Sequence, residues 1–324
     1  MANILITGAS GFVGKHLVRN VLRSNNTPIA LVKEHNRKVD QELFKQVEQK
    51  GAVIYGSITD KNLLREVVNK YELDYIVHLA ALPIVSICDS NPWSAYEVNT
   101  MGTVALYEAV RDELHRNKRL KKIIHFSTDK SYSSSSPPGG YTEETPFGVA
   151  DTYCTSKACG DLIAQSYAKT YNLPICIVRC GNLYGSRDLN LSRLIPGSIL
   201  RLLNNEQPVL YTDAAKMKRE FIHVSDAVAA CNTLFKEGIR GEVYNIGTGK
   251  MYEIIDVINM IRDKINPQLE IKMVDRNLFE LNEQCLNSVK LQRLGWKCQV
   301  SLSAGLDEAI PWYKEWREKV DFSK

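Results

Sequence analysis

Short apolar runs alternating with helix-length segments, a glycine-rich turn directly after the first run, and less regular spacing beyond residue 180 together predict an α/β fold. It is a doubly wound parallel sheet followed by a smaller C-terminal α+β lobe. The apolar runs lie at 4–7, 29–32, 52–55, 75–79, 123–127 and 175–179. Strands of this length, separated by helical patterns, pair in parallel through right-handed crossovers that cover both faces of the sheet. Beyond them the pattern predicts helices near 194–203, 225–236, 253–265 and 303–316, and a strand at 243–246. The expected division is residues 1–180 and 181–324, with an approximate boundary and segments that interweave.

Composition narrows the function. The 324 residues are 44% hydrophobic and 24% charged, with a net charge of +4 spread along the chain, which argues against a nucleic-acid arm or a polybasic membrane anchor. No apolar run approaches the length of about 18 residues that a membrane helix needs. Residues 1–6 enter the glycine turn with no basic leader, so a soluble, cytoplasmic protein is the expectation. Eight cysteines without a C-x-x-C pair suggest reduced thiols and no metal site.

In the first turn Gly8, Gly11 and Gly14 follow a strand and open a helix. Glycine permits a tight turn and close backbone approach, and the helix amino end offers N–H groups and a positive dipole to a pyrophosphate. Gly8, Ser10, Gly11, Phe12, Val13 and Gly14 are therefore candidate contacts to a dinucleotide, and residues 1–180 a Rossmann domain. After the second strand, Lys33 stands where an acid would bind the adenosine ribose, and Arg37 is close behind. Cations there pair with a 2′-phosphate, so NADP is favoured over NAD bound through Glu34.

Tyr153 and Lys157 are four apart, on one face of a predicted helix, and Thr128 ends the fifth strand. A hydroxyl there can hold a substrate alcohol while Tyr153 takes its proton, and a neighbouring ammonium lowers a phenol from its usual value near 10. This trio suggests hydride transfer at an alcohol. Between strand and helix, the serine- and glycine-rich stretch 131–140 reads as a surface loop placed to act as a lid.

At this point the chain resembles the extended short-chain dehydrogenase/reductase family. The matches are 7–14, His78-Leu79-Ala80-Ala81, 98–103, Tyr153 with Lys157, 179–185, 219–226 and 244–247, in order along essentially the whole chain. The resemblance implies a nucleoside-diphosphate-sugar substrate, with Asn182 and Arg219 on the diphosphate or nucleotide, Arg193 and Arg276 as further substrate contacts, and Asn99 supporting the active-site network. It adds Ser57, Ile58, Leu79, Ala80 and Ala81 to the cofactor contacts, with Ser57 standing where the family commonly has an aspartate. A homodimer through helices near 93–115 and 153–171 is also implied.

Within that family, Asp129 and Lys130 directly after Thr128 put an acid and a base beside the hydroxyl. Oxidation at carbon 4 of a hexose acidifies the proton on carbon 5, so a base can remove it while an acid protonates the departing 6-hydroxyl. The pair therefore resembles the nucleotide-sugar 4,6-dehydratase branch, in the variants acting on CDP-glucose or UDP-N-acetylglucosamine, with Asp129 as acid and Lys130 as its partner at carbon 5. The rival readings are a 4-epimerase or 4-reductase on the same scaffold, and a non-enzymatic dinucleotide sensor.

Overall fold

The computed structural model describes residues 1–33, 40–114, 119–132, 135–148, 151–275 and 281–319. Along the first part, strands and helices alternate: β1 (Asn3–Thr7), α1 (Phe12–Arg23), β2 (Thr27–Val32), α2 (Gln41–Lys50), β3 (Ala52–Tyr55), α3 (Lys61–Lys70) and β4 (Tyr75–His78). There follow α4 (Val85–Ser90), α5 (Pro92–Tyr96), a π-helical turn at Glu97–Met101, α6 (Gly102–Glu113), β5 (Lys122–Thr128), α7 (Thr152–Thr170) and β6 (Ile175–Cys180). Every predicted strand of this part forms. Their side chains alternate between two cores: Ile4, Ile6, Val77, Ile124 and Val178 face one way, and Leu5, Ile76, Ile123 and Ile177 the other.

The second part contributes β7 (Asn182–Tyr184), α8 (Leu194–Leu203), β8 (Val209–Tyr211), β9 (Lys218–His223), α9 (Val224–Glu237), β10 (Val243–Ile246), β11 (Met251–Glu253), α10 (Ile254–Ile265), β12 (Lys272–Val274), β13 (Glu283–Gln284), α11 (Val289–Gln292) and α12 (Leu302–Lys319). The main sheet has seven strands in the order β10-β6-β5-β4-β1-β2-β3. Its outermost strand therefore comes from beyond residue 180, because β10 pairs in parallel with β6 from Val243 opposite Ile177 to Ile246 opposite Cys180. Ala230, Cys231 and Leu234 of α9 pack with it in the first core. The remaining strands make small sheets around β9 and β8, and a third core joins α8, α10 and α12 through Ile199, Ile258 and Tyr313.

Strand order reverses between β1 and β4, and a cleft opens beyond the carboxyl ends of such strands. The serine-rich stretch beside it is fastened where it is described. Tyr132 and Tyr141, both buried, stack with ring centres 4.7 Å apart, Tyr132 donates to Asn245 Oδ1 at 2.7 Å, and the Ser136 N–H donates to the Glu283 carbonyl at 3.0 Å. The expected free lid is thus a strap from the sheet to the second lobe. Below it lies a buried ion pair: Arg179 on β6 meets Asp161 on α7 at 2.9 Å and also donates to the Tyr132 hydroxyl and the Glu143 carbonyl.

Candidate active site

The glycine turn is built around its own backbone. Gly8 adopts φ +67°, and a Cβ on Gly14 would stand 2.3 Å from the Gly8 carbonyl oxygen, so no other residue fits there without moving the turn. Gly11 caps α1 with no side-chain hydrogen bond, and no acid occupies the first helical turn. The first N–H groups and the positive helix end are left facing the cleft, which suits a pyrophosphate. Ser10, Phe12 and Val13 line this turn half-buried, and Phe12 sets its edge against His16 with ring centres 5.6 Å apart. Thr7 ties the turn to the next strand: its Oγ1 accepts from the N–H groups of Leu79 and Ala80, both at 3.1 Å, and meets His78 Nδ1 at 2.8 Å. Ala81 continues that floor half-buried. Ser57 spends its hydroxyl on Thr59 at 2.8 Å, and Ile58 is buried against Gly102.

Asn99 lies within the π turn and is buried. Its side chain clamps the backbone of Leu82 with bonds of 2.7 and 3.2 Å and donates to Ser156 Oγ of α7 at 2.9 Å. A buried amide with every group satisfied fixes the β4 loop against the helix that carries Tyr153 and Lys157. Asp151 caps that helix, accepting from the Cys154 N–H at 2.7 Å, and so sets the register of both side chains.

At the end of β5, Thr128, Asp129 and Lys130 turn through a short 3₁₀ segment in which Thr128 Oγ1 accepts from the Lys130 N–H and donates to Asp129 Oδ1, each at 3.3 Å. Tyr153 of α7 lies beside Thr128. Burial raises the Tyr153 phenol, while the neighbouring Thr128 hydroxyl and the charge of Arg193 lower it. Lys157 is turned elsewhere: its Nζ donates to the Phe126 carbonyl at 2.5 Å, and burial brings its ammonium down to about 8. The charge of Arg193, which pairs with Asp188 at 2.9 Å, also acts on the phenol.

Asp129 is buried, and burial pushes its carboxyl up to about 6 against the pull of Lys130 and Arg219. Its Oδ2 has no hydrogen-bond partner among the described residues. Lys130, half-buried, follows it at the mouth of the cleft. Arg219 is also buried, donating to the carbonyls of Lys218 and Asn282 at 3.0 and 3.2 Å, with its charge felt by Asp129 and Tyr141. Asn182 donates to the Glu220 carbonyl at 3.2 Å, which joins β7 to β9 beside that arginine. Lys33 is exposed, whereas Arg37 and Arg276 lie outside the described residues. Three buried groups at the site carry little sequence signal: Tyr141, its hydrogen-bond partner Gln284, and Glu220. Only Glu220 falls inside a motif, the stretch 219–226.

The family model described as NAD dependent epimerase/dehydratase matches residues 4–247. The chain belongs to that family. A relative in Sinorhizobium fredii named as a probable dTDP-glucose 4,6-dehydratase is 29% identical, over 96% of this chain and 93% of its own length. The structure of dTDP-glucose 4,6-dehydratase from Bacillus anthracis in complex with NAD is 30% identical and covers 98% of both chains with a TM-score of 0.85. At 23% identity, the UDP-glucose 4-epimerase from Thermotoga maritima shares the fold with a TM-score of 0.87, covering 97% and 99% of the two chains. No described helix is long and apolar enough to cross a membrane.

Proposed function

We propose that this family member is a nucleotide-sugar 4,6-dehydratase that converts a nucleoside-diphosphate hexose to the 4-keto-6-deoxy sugar. The observation that carries the reading is the buried Asp129 carboxyl, raised to about 6, beside the hydroxyls of Thr128 and Tyr153. An epimerization needs a hydroxyl and a base at one carbon, whereas a carboxyl raised toward neutrality is matched to giving a proton to a departing hydroxyl.

Thr128 holds the 4-hydroxyl, and Tyr153, helped by Arg193, accepts its proton. Lys130 serves at carbon 5, and Asp129 gives its proton to the 6-hydroxyl as water leaves. Lys157 and Asn99 set the geometry of the helix and loop, while Arg219, Asn182 and Arg193 hold the diphosphate and nucleotide. The bound dinucleotide supplies a reversible hydride acceptor, so the reaction is redox-neutral overall. The NADP preference expected from Lys33 and Arg37 lacks support, since Lys33 is exposed and the Bacillus anthracis relative holds NAD. NAD is the cofactor we propose.

The Asp-Lys pair is our ground for a substrate of the CDP-glucose or UDP-N-acetylglucosamine type, and the named relatives add dTDP-glucose to the test. Incubation with a panel of these sugars is expected to give a product lighter by one water, with no net change in nicotinamide absorbance. An epimer of unchanged mass, or stoichiometric cofactor oxidation, overturns the reading in favour of an epimerase or a reductase. Gly14→Val is expected to abolish dinucleotide binding, measured by fluorescence titration with NADH, because its side chain meets the Gly8 carbonyl.

We also infer a homodimer. Trp93, Met101 and Leu162 leave large apolar surfaces exposed on α5, the π turn and α7, more than a lone soluble surface needs, and a second copy would cover them. Sedimentation is expected to give about twice the 36.6 kDa chain mass, reduced to one chain by Leu162→Glu.

A further inference from the structure

The turn after β7, residues 185–188, runs along the last helix and takes its shape from it. Just before the turn, Tyr184 sets its hydroxyl on the carbonyls of Ser301 and Leu302 at 3.2 and 3.3 Å, where Gly305 leaves room for the ring. The Tyr313 hydroxyl, fully buried on α12, donates to the carbonyls of Gly185 and Asp188 at 3.1 and 2.8 Å, so a single proton ties both ends of the turn. On the same helix Glu308 accepts from the Ser186 hydroxyl at 3.0 Å and from His223, at the end of β9, at 3.2 Å. That histidine holds the Glu308 carboxyl below the usual range. From the opposite side His16 of α1 donates to the Ser186 carbonyl at 2.8 Å. Between these fastenings Arg187 adopts φ +69°, with its guanidinium 5.5 Å from the centre of the Trp312 ring. A non-glycine residue keeps that conformation only where its surroundings over-determine it.

What the turn presents is Asp188. Its buried carboxylate accepts from the Asn190 N–H at 3.1 Å through Oδ1 and from Arg193 at 2.9 Å through Oδ2. Arg193 is therefore aimed by a carboxylate whose own backbone carbonyl is fixed by Tyr313. We propose that Tyr313 and Glu308 of α12 are positioning residues for nucleotide-sugar binding: they lock the turn 185–188 so that Asp188 presents Arg193 to the diphosphate. The proposal rests on the reading of Arg193 as a substrate contact. Neither α12 residue has a part in the steps above, and both act through Arg193. The Tyr313 ring packs in the third core, so removing the hydroxyl alone releases the turn without emptying that core.

The test is calorimetric titration of full-length, NAD-loaded protein with UDP, CDP and dTDP in turn, with the tightest of the three carried to the variants. Tyr313→Phe should weaken its binding about tenfold, as expected for the loss of roughly one buried hydrogen bond. Glu308→Ala should weaken it by a similar factor, and Glu308→Gln by less, since the amide oxygen still accepts from Ser186. Affinity for NADH, read by fluorescence titration before loading, should stay the same in all three. The double-variant cycle decides between positioning and a merely structural role: in an Arg193→Gln background, Tyr313→Phe should add almost nothing to the loss. Additive losses overturn the proposal, and so does full affinity in folded Tyr313→Phe and Glu308→Ala. An equal fall in NADH affinity overturns it too, because the damage is then general. Should Tyr313→Phe fail to fold, Glu308→Ala, at a half-exposed side chain, carries the same cycle. Failure of the substrate reading looks different: wild-type protein binds none of the three diphosphates, or Arg193→Gln binds as well as wild type, and the proposal falls with it.

Discussion

Tyr153→Phe is expected to lower kcat by roughly 10²- to 10⁴-fold, the range that a positioned proton acceptor contributes. The loss should fall on kcat and not on KM, since the phenol ring and its packing remain and only one hydroxyl goes. That hydroxyl lies beside Thr128, whose Oγ1 keeps its contacts to Asp129 and the Lys130 N–H in the variant. Thr128→Val should cost a similar amount, and the double variant should be little worse than either single one, as members of one proton path are strongly non-additive. Steady-state kinetics on the three proteins, with circular dichroism to show that each is folded, checks this. Additive losses would mean that the two hydroxyls act separately. The sign of the pH response is also set: buried Tyr153 is held above the usual phenol range, so raising the pH favours its deprotonation and the limb governed by it should rise toward alkaline pH.

Arg179→Leu is expected to destabilise the fold by about 3–5 kcal/mol, the cost of leaving a buried charge without its partner. The arginine and Asp161 are 3% and 0% exposed, and no water can replace the lost donors. The guanidinium also stacks on Phe147 at 4.4 Å and Tyr132 at 5.1 Å, so the strap loses its anchor to β6 at the same time. Removing both charges with Arg179→Leu and Asp161→Leu should recover a large part of the loss, because the orphaned carboxylate is then gone. Guanidinium denaturation of the two variants distinguishes the cases. Equal destabilisation by the single and double changes would place the effect in the strap contacts instead of the buried charge.

The strands were legible because each is an apolar run bounded by breakers, and Gly8, Gly11 and Gly14 were legible because a turn that tight leaves no other choice of residue. The spacing of Tyr153 and Lys157 likewise placed both on one helix face. It could not say where a long flexible side chain ends, and Lys157 reaches back to the Phe126 carbonyl while Arg193 arrives from another element. The run at 243–246 reads as a strand but does not name its partner, since register with β6 is decided by burial across the whole sheet. Buried Glu220 is held by donors with no sequence signature at all, because they are backbone N–H groups from Thr248, Gly249 and Leu286. The cofactor choice turned on Lys33, which is exposed, and on Arg37, which lies outside the described residues.

The place of β10 limits how such a protein can be cut. A fragment stopping near residue 180 would leave β6, with Ile175, Ile177 and the rest of its buried row, as an open margin of unpaired amide and carbonyl groups, ready to recruit another chain. Exchanging the sugar-recognising portion between homologues must therefore respect repeated crossings of the polypeptide, and a single splice point between two tidy modules does not exist.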